Sequence, residues 1–301
     1  MEKYKNTNAI YYIGIFFVVV IWSLFPVITK NLLGKVYTPS LWDSVGGLIS
    51  VISMLIVCRK KLRLLNRNYF KVAVPTGIFF SSACLLQKFG LTMTTPAMFA
   101  FLENTSCIFV PLLMLLFAKQ RLTLPKILSA LLCMAGVFVL GGGDLTLQFG
   151  PGEILCALAG VFYAVNIAGT GAFAKKLDTG LYLLIQFGVH CIISSGYTLL
   201  FVEERIFSFA PQHLGALVGI VLISTVLCWL IRTACLKKLD PSFVTVVMPF
   251  SSVLTGIVSI LAGTDVLSFA LVGGAILIFA AIMISGLADT NKHKESKGGT
   301  P

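Results

Sequence analysis

The sequence predicts an all-α integral membrane protein of ten transmembrane helices, arranged as two inverted five-helix repeats. Three observations predict it. Apolar residues come in long blocks, basic residues crowd the loops of one side, and the second half of the chain aligns with the first at a nearly fixed shift. Of the 301 residues, 57% are hydrophobic and 12% charged, and the mean hydropathy is +0.94. A soluble domain carries roughly 25% charge. The balance therefore excludes a disordered chain, a collagen-like chain and a water-soluble enzyme.

A span takes about 20 residues, and ten blocks meet that length: residues 9–29, 40–58, 71–90, 96–117, 125–142, 152–173, 181–202, 213–236, 241–262 and 268–288. The first follows Lys3 and Lys5, as a secretory signal would. It is about twice as long as a signal's apolar region and lacks a small-residue cleavage site, so it reads as a retained span. The loops are too short to fold as water-exposed domains. The chain divides into a first repeat at 1–146, a second at 147–290 and a tail at 291–301. The tail's polar, glycine-containing composition predicts disorder. The eight cysteines, Cys58, Cys84, Cys107, Cys133, Cys156, Cys191, Cys228 and Cys235, form no C-x-x-C pair and no cluster with histidine. They read as small buried hydrophobes, with no metal site and no cofactor implied.

The formal net charge of +11 raises a nucleic-acid reading, and its placement argues against one. With ten spans both tails share a side. On that side lie Lys3, Lys5, Arg59, Lys60, Lys61, Arg63, Arg67, Lys71, Lys119, Arg121, Lys126, Lys175, Lys176, Lys237, Lys238, Lys292, Lys294 and Lys297. The other side has Lys30, Lys35, Lys88 and Arg205, and Arg232 falls inside a span. Basic loops stay cytoplasmic during insertion, which places both tails in the cytoplasm of a multi-pass cell-membrane protein. The lipid bilayer, and not nucleic acid, is the expected partner. The oligomeric state is not legible.

A shift of 145 residues lays Pro96-Ala97-Met98-Phe99 over Pro241-Ser242-Phe243-Val244, Leu122-Thr123 over Leu267-Ser268, Ala130 over Ala275 and Leu91 over Leu236. Nearer the start, a shift of about 141 places Trp22 over Tyr163. Five spans per half is an odd number, so the halves enter the membrane from opposite faces. Inverted repeats of this kind build carriers, because two similar halves can exchange conformations and expose a shared site to each side in turn.

The segments at 90–141 (TTPAMFAFLENTSCIFVPLLMLLFAKQRLTLPKILSALLCMAGVFVL) and 235–285 (LDPSFVTVVMPFSSVLTGIVSILAGTDVLSFALVGGAILIFAAIMIS) resemble the repeat of the drug/metabolite transporter superfamily, specifically the EamA-type carriers. Trp22-Ser23, followed by Lys30 and Pro39, resembles the start of the same repeat. The resemblance implies ten spans, both tails inside and a central cavity lined by spans one, three, four, six, eight and nine. Two departures stand out. Where the family often ends its fourth span with glycine and glutamate, this chain has Lys119-Gln120 and, in the second half, Thr264-Asp265. Where many members carry an arginine in span two, it has Gly46, with Gln186 at the matching place.

Ionisable groups within spans are costly and mark substrate or ion pathways. Glu103 lies eight residues into span four, roughly 10 Å below its outer end, with Asn104 and Ser106 beside it. It suits a substrate amine or a proton, or is a protonated structural residue. Arg232 lies five residues before Lys237, about 7 Å from the inner end. It either snorkels to water or holds a carboxylate or phosphate in its fork. At those depths Glu103 and Arg232 are not expected to touch directly. Gln87 matches Arg232 in the repeat, and Trp22, Tyr163, Asn166 and Trp229 occupy candidate cavity spans. The aromatics there stack a solute or cation or simply pack helices, and the mid-span amide of Asn166 needs a partner. Asp43, near the end of span two, is expected to reach water. His190 is expected to be packed and neutral. Gly160, Ala164, Ala168 and Ala172 recur every four residues, a spacing for close helix approach, and Pro26, Pro111 and Pro249 are placed to bend their spans.

The expected activity is secondary-active transport of a small-molecule substrate, an amino acid or related metabolite, most naturally export, with protons as a possible coupling ion. The chain has no G-x-x-x-x-G-K-[ST] loop for direct use of ATP. A lipid flippase on the same fold is the nearest alternative. An intramembrane enzyme would need H-E-x-x-H or aspartate-rich clusters that do not occur, and a channel would need a filter-like loop.

Overall fold

A computed structural model of the chain describes residues 2–33, 35–94, 102–120, 122–140, 150–202, 206–261 and 268–298. Ten helices cover them: α1 Glu2–Leu32, α2 Pro39–Cys58, α3 Arg67–Met93, α4 Ser106–Ala118, α5 Leu124–Leu140, α6 Pro151–Phe173, α7 Thr179–Phe201, α8 Pro211–Lys238, α9 in two pieces (Pro241–Val247 and Phe250–Leu261), and α10 Phe269–Gly298. Seven of the described helices are long and apolar enough to cross a membrane, and three shorter apolar stretches lie in α1, α4 and α5. The matches at Pro96–Phe99 and Leu267, and the residues Arg121, Arg205 and Thr264-Asp265, lie outside the described residues.

Local chemistry sets the helix starts. Proline opens α2, α6, α8 and α9, where its missing N–H costs nothing. Asn66, Asp178 and Asp240 cap α3, α7 and α9 through side-chain oxygens that accept from backbone N–H groups. α4 ends on Lys119 in the left-handed region, φ 50° and ψ 31°. That conformation suits glycine, the residue with which the resembled family often ends this span. Two termini differ from the sequence reading. α1 begins at Glu2, not near residue 9, and α10 continues through Gly298, past the expected start of a disordered tail. The polar stretch after Asp289 contains no proline or glycine before Gly298, so no residue in it breaks the helix.

The interhelical neighbours obey a simple rule. α3 packs on α6 and α7, α4 on α6, α1 on α8 and α9, and α2 on α8. Adding five to each helix number turns α3–α6 into α8–α1, α4–α6 into α9–α1 and α3–α7 into α8–α2. The pairs α2–α7, α4–α9 and α5–α10 map onto themselves. Two five-helix units related by a pseudo-twofold axis give this pattern. Loop contacts sort into two ends. At the end where α1 starts and α10 stops (the tail end), Lys61 bonds Asp178 at 2.7 Å, Lys126 bonds Asp240 at 2.6 Å, and Lys237 bonds Thr179 at 3.0 Å. At the far end Tyr37 donates to the Ser208 carbonyl at 3.2 Å, and Thr94 donates to Glu153.

Small residues let helices close up. A β-carbon on Gly160 would meet Thr105 Oγ1 at 2.6 Å and the Leu102 carbonyl at 2.7 Å, so the stripe through Gly160, Ala164 and Ala168 packs α6 on its neighbours. The outward faces are apolar. Leu116, Ile192, Leu199, Leu200 and Phe201 are between 66% and 78% exposed. That much apolar exposure is unstable in water and natural in lipid.

Candidate functional site

All eight candidate residues lie on α1, α3, α6, α8 and the turn before α4, and six of them meet. Gln87 on α3 donates from its amide nitrogen to Glu103 Oε1 at 3.0 Å, and its carbonyl oxygen accepts from the Tyr163 hydroxyl on α6 at 2.6 Å. The Tyr163 ring is stacked on Trp229 of α8 at 6.3 Å between centroids. Trp229 also packs against Trp22 of α1 at 5.8 Å and edge-on to Phe80 at 4.5 Å. The Arg232 guanidinium lies over Trp229 at 4.4 Å and over Trp22 at 5.6 Å. The result is an aromatic box with a carboxylate at one end and a guanidinium at the other. Asn104, on the turn beside Glu103, is partly exposed at its rim.

Burial decides the character of Arg232. Only 3% of the residue is exposed, and Nε and Nη1 have no hydrogen-bond partner among the described residues. The snorkelling alternative is therefore corrected: the side chain turns inward onto indole faces instead of reaching water. Glu103 and Arg232 make no ion pair within 4 Å, in agreement with the depth argument, although each acts electrostatically on the other.

Asn166 is placed elsewhere. Its amide donates to the Thr76 carbonyl at 3.0 Å, inside a buried network in which Tyr182 bonds Thr76 and Thr170, each at 2.8 Å, and Gln186 donates to Thr76 and Tyr182, each at 2.9 Å. This network ties α3, α6 and α7 together, and at 1% exposure Asn166 is closed off within it.

One segment positions the aromatic box. Residues Val221–Leu227 of α8 form a π-helix, a wider turn common at functional sites. The Trp22 indole N–H donates to the Ser224 carbonyl within it at 3.0 Å. This contact fixes both the ring and the position of α1 against α8. Thr255 of α9 also reaches α1, donating to the Ser23 carbonyl at 2.6 Å.

A second polar cluster escaped the sequence reading. Asp43 is 3% exposed, not open to water. Its Oδ1 accepts from the Lys88 ammonium and faces His190 Nε2 at 3.7 Å. His190 is 5% exposed, as a packed histidine should be, and its Nδ1 lies 3.1 Å from Ser81 Oγ. Lys88, counted above among the basic residues of the far side, belongs to α3 and turns inward to this carboxylate. A buried acid on one helix implies a basic partner on another, and that was the available signal.

Comparison with known proteins agrees with the geometry. The EamA-like transporter family matches the chain twice, over residues 9–142 and 150–287. A solved crystal structure superposes with a TM-score of 0.78 over 93% of this chain and 98% of its own, at 17% identity, which shows a shared fold. Nothing matches among the curated protein sequences. Two five-helix units, each matched by the family over nearly its whole length, make this chain a member of the EamA-like transporter family.

Proposed function

We propose that the chain is a secondary carrier that exports amino acids or closely related metabolites by alternating access, with both termini in the cytoplasm. The observation that carries this reading is the pair of unpartnered donors on buried Arg232. A buried, unmatched guanidinium is costly, and a solute carboxylate would satisfy its Nε and Nη1 as a fork. Glu103 then receives the solute amine, in exchange for its bond from Gln87. Trp22, Trp229 and Tyr163 cover the solute's apolar body.

The pseudo-twofold arrangement of α1, α3, α6 and α8, with the box where the two halves meet, supports the alternating-access reading. The test is flux in proteoliposomes containing the full chain and a mixture of L-amino acids. Uptake or release above that of empty vesicles is expected, with loss in Arg232→Gln. Flux indistinguishable from empty vesicles refutes the proposal.

A further inference from the structure

The cluster of Asp43, Lys88 and His190 takes no part in the solute contacts above. We propose that it is a proton-binding site, separate from the solute box, and that its occupancy exchanges protons for solute during the carrier cycle. The inference rests on the carrier reading. Three helices supply the cluster, α2 and α3 from the first repeat and α7 from the second, so it spans the interface across which the halves must move. Charged groups buried within spans cost several kcal/mol and characteristically serve ion or proton pathways.

The hydrogen-bond geometry accommodates two protonation states without moving a heavy atom. With a neutral ring, Nδ1 accepts from the Ser81 hydroxyl, and the Nε2 proton points toward Asp43. After protonation Nδ1–H donates to the same oxygen and only the hydroxyl reverses, since serine serves as donor or acceptor. Asp43 keeps capacity for the added proton's charge, because its Oδ2 is buried and lacks a hydrogen-bond partner among the described residues. While the ring is neutral, Lys88 balances Asp43 and the cluster is electrically neutral. One bound proton makes it positive by one.

The link to the solute is short. Lys88 follows Gln87, which holds Glu103, and the Lys88 and Glu103 charges act on one another. A proton on the cluster repels Lys88 from Asp43 and strengthens its pull on Glu103, the group assigned to the solute amine. Proton and amine are therefore antagonists, which favours exchange of one for the other over joint movement.

Other titratable groups surround the cluster. The Asp43 charge acts on Cys84 of α3 and Tyr163 of α6, and Cys191 of α7 donates to the Ser44 carbonyl beside it. From α8, which also packs on α2, Val221 meets Gly46, and the Arg232 charge acts on Glu103 and Tyr163.

The test uses the full chain in liposomes enclosing a pH-sensitive dye, with a mixture of L-amino acids as probe. Two quantities are read: proton movement driven by an amino-acid gradient, and counterflow of isotope-labelled amino acids at equal concentrations on both sides. Wild type is expected to show both. His190→Gln is expected to lose the proton response and keep counterflow, as is the double variant Asp43→Asn, Lys88→Met, which leaves no unmatched charge within the cluster. Counterflow itself reports that each variant is folded. A proton response that survives in His190→Gln overturns the inference, as does joint loss of both signals, which marks a purely structural cluster. Wild-type counterflow with no proton response also overturns it and leaves the carrier reading intact. Absence of wild-type counterflow overturns the carrier reading, and this inference with it.

Discussion

α3 and α8 are repeat mates, related by the 145-residue shift that matches Gln87 to Arg232 and Lys88 to Thr233. Each helix turns one strong base inward, and they treat it in opposite ways. Lys88 on α3 is matched within the protein by Asp43. Arg232 on α8 lies against two indoles with Nε and Nη1 unmatched. The contrast separates two uses of a buried charge. A matched base belongs to the resting fold, whereas an unmatched one is held ready for a partner from outside.

The largest effect should come from breaking the match. Lys88→Ala leaves Asp43 as an uncompensated buried carboxylate, and loss of one member of such a pair costs about 3–5 kcal/mol. Denaturation of the detergent-solubilised protein should show this, with recovery in the double variant Asp43→Leu, Lys88→Met. If Lys88→Ala is as stable as wild type, the two bases do not differ as described.

Arg232 should behave in the reverse sense. Arg232→Gln is expected to leave the solute-free protein as stable as wild type or more so, because a buried unmatched charge is removed. Solute affinity should fall roughly 10- to 100-fold, since a charged hydrogen bond contributes about 1.5–3 kcal/mol. Arg232→Lys should not restore it, because an ammonium lacks the planar fork. Thermal shift with and without L-amino acids reads both quantities.

Smaller changes sharpen the picture of how α8 is held. Trp22→Phe keeps an aromatic ring, though a smaller one, and removes the donor to Ser224, at a cost of at least about 1 kcal/mol in thermal unfolding, together with weaker solute binding. Lys119→Gly should stabilise the end of α4 by up to about 1 kcal/mol, because the left-handed region strains any residue with a β-carbon.

The smallest effect belongs to Lys61 and Asp178, in loops at the tail end. The hydrogen bond that Lys61 donates to Asp178 raises the Lys61 ammonium above its ordinary 10.5. Partial burial pushes the Asp178 carboxyl up, but the Lys61 bond and two backbone N–H groups outweigh it and hold it below 3.8. A lowered acid contributes stability above its unfolded value and loses it as pH falls through the folded one. A raised base contributes below its unfolded value and loses it as pH rises through the folded one. The pair therefore acts throughout about pH 5 to 9. Lys61→Ala should lower the melting temperature slightly and by a constant amount across that window. A difference that changes sign within it contradicts the pairing.

The ten helices were legible because lipid requires whole spans to be apolar, a far stronger signal than amphipathic periodicity. Helix ends were less legible: the polar residues after Glu2 and before Gly298 continue helices that the apolar pattern alone would stop. The site was legible where a polar or aromatic residue stood out against an apolar span, as with Glu103, Gln87 and Arg232. It was not legible where meaning depended on partners from other helices. Asp43, Lys88 and His190 each look marginal alone, and Asn166 looked available until Thr76 was placed beside it. The π-helical turn in α8 leaves no mark in composition.

Asp240 and Asp178 each divide their two oxygens between different tasks. In Asp240, Oδ1 accepts from the Ser242 N–H at 3.0 Å while Oδ2 grips Lys126. In Asp178, Oδ1 accepts from Gly180 and Leu181 while Oδ2 takes Lys61. Asparagine could still cap but would forfeit the negative charge, and glutamate would keep the charge but caps poorly. Neither near relative performs both tasks as the native side chain does, and each carboxylate sutures the second repeat to the first.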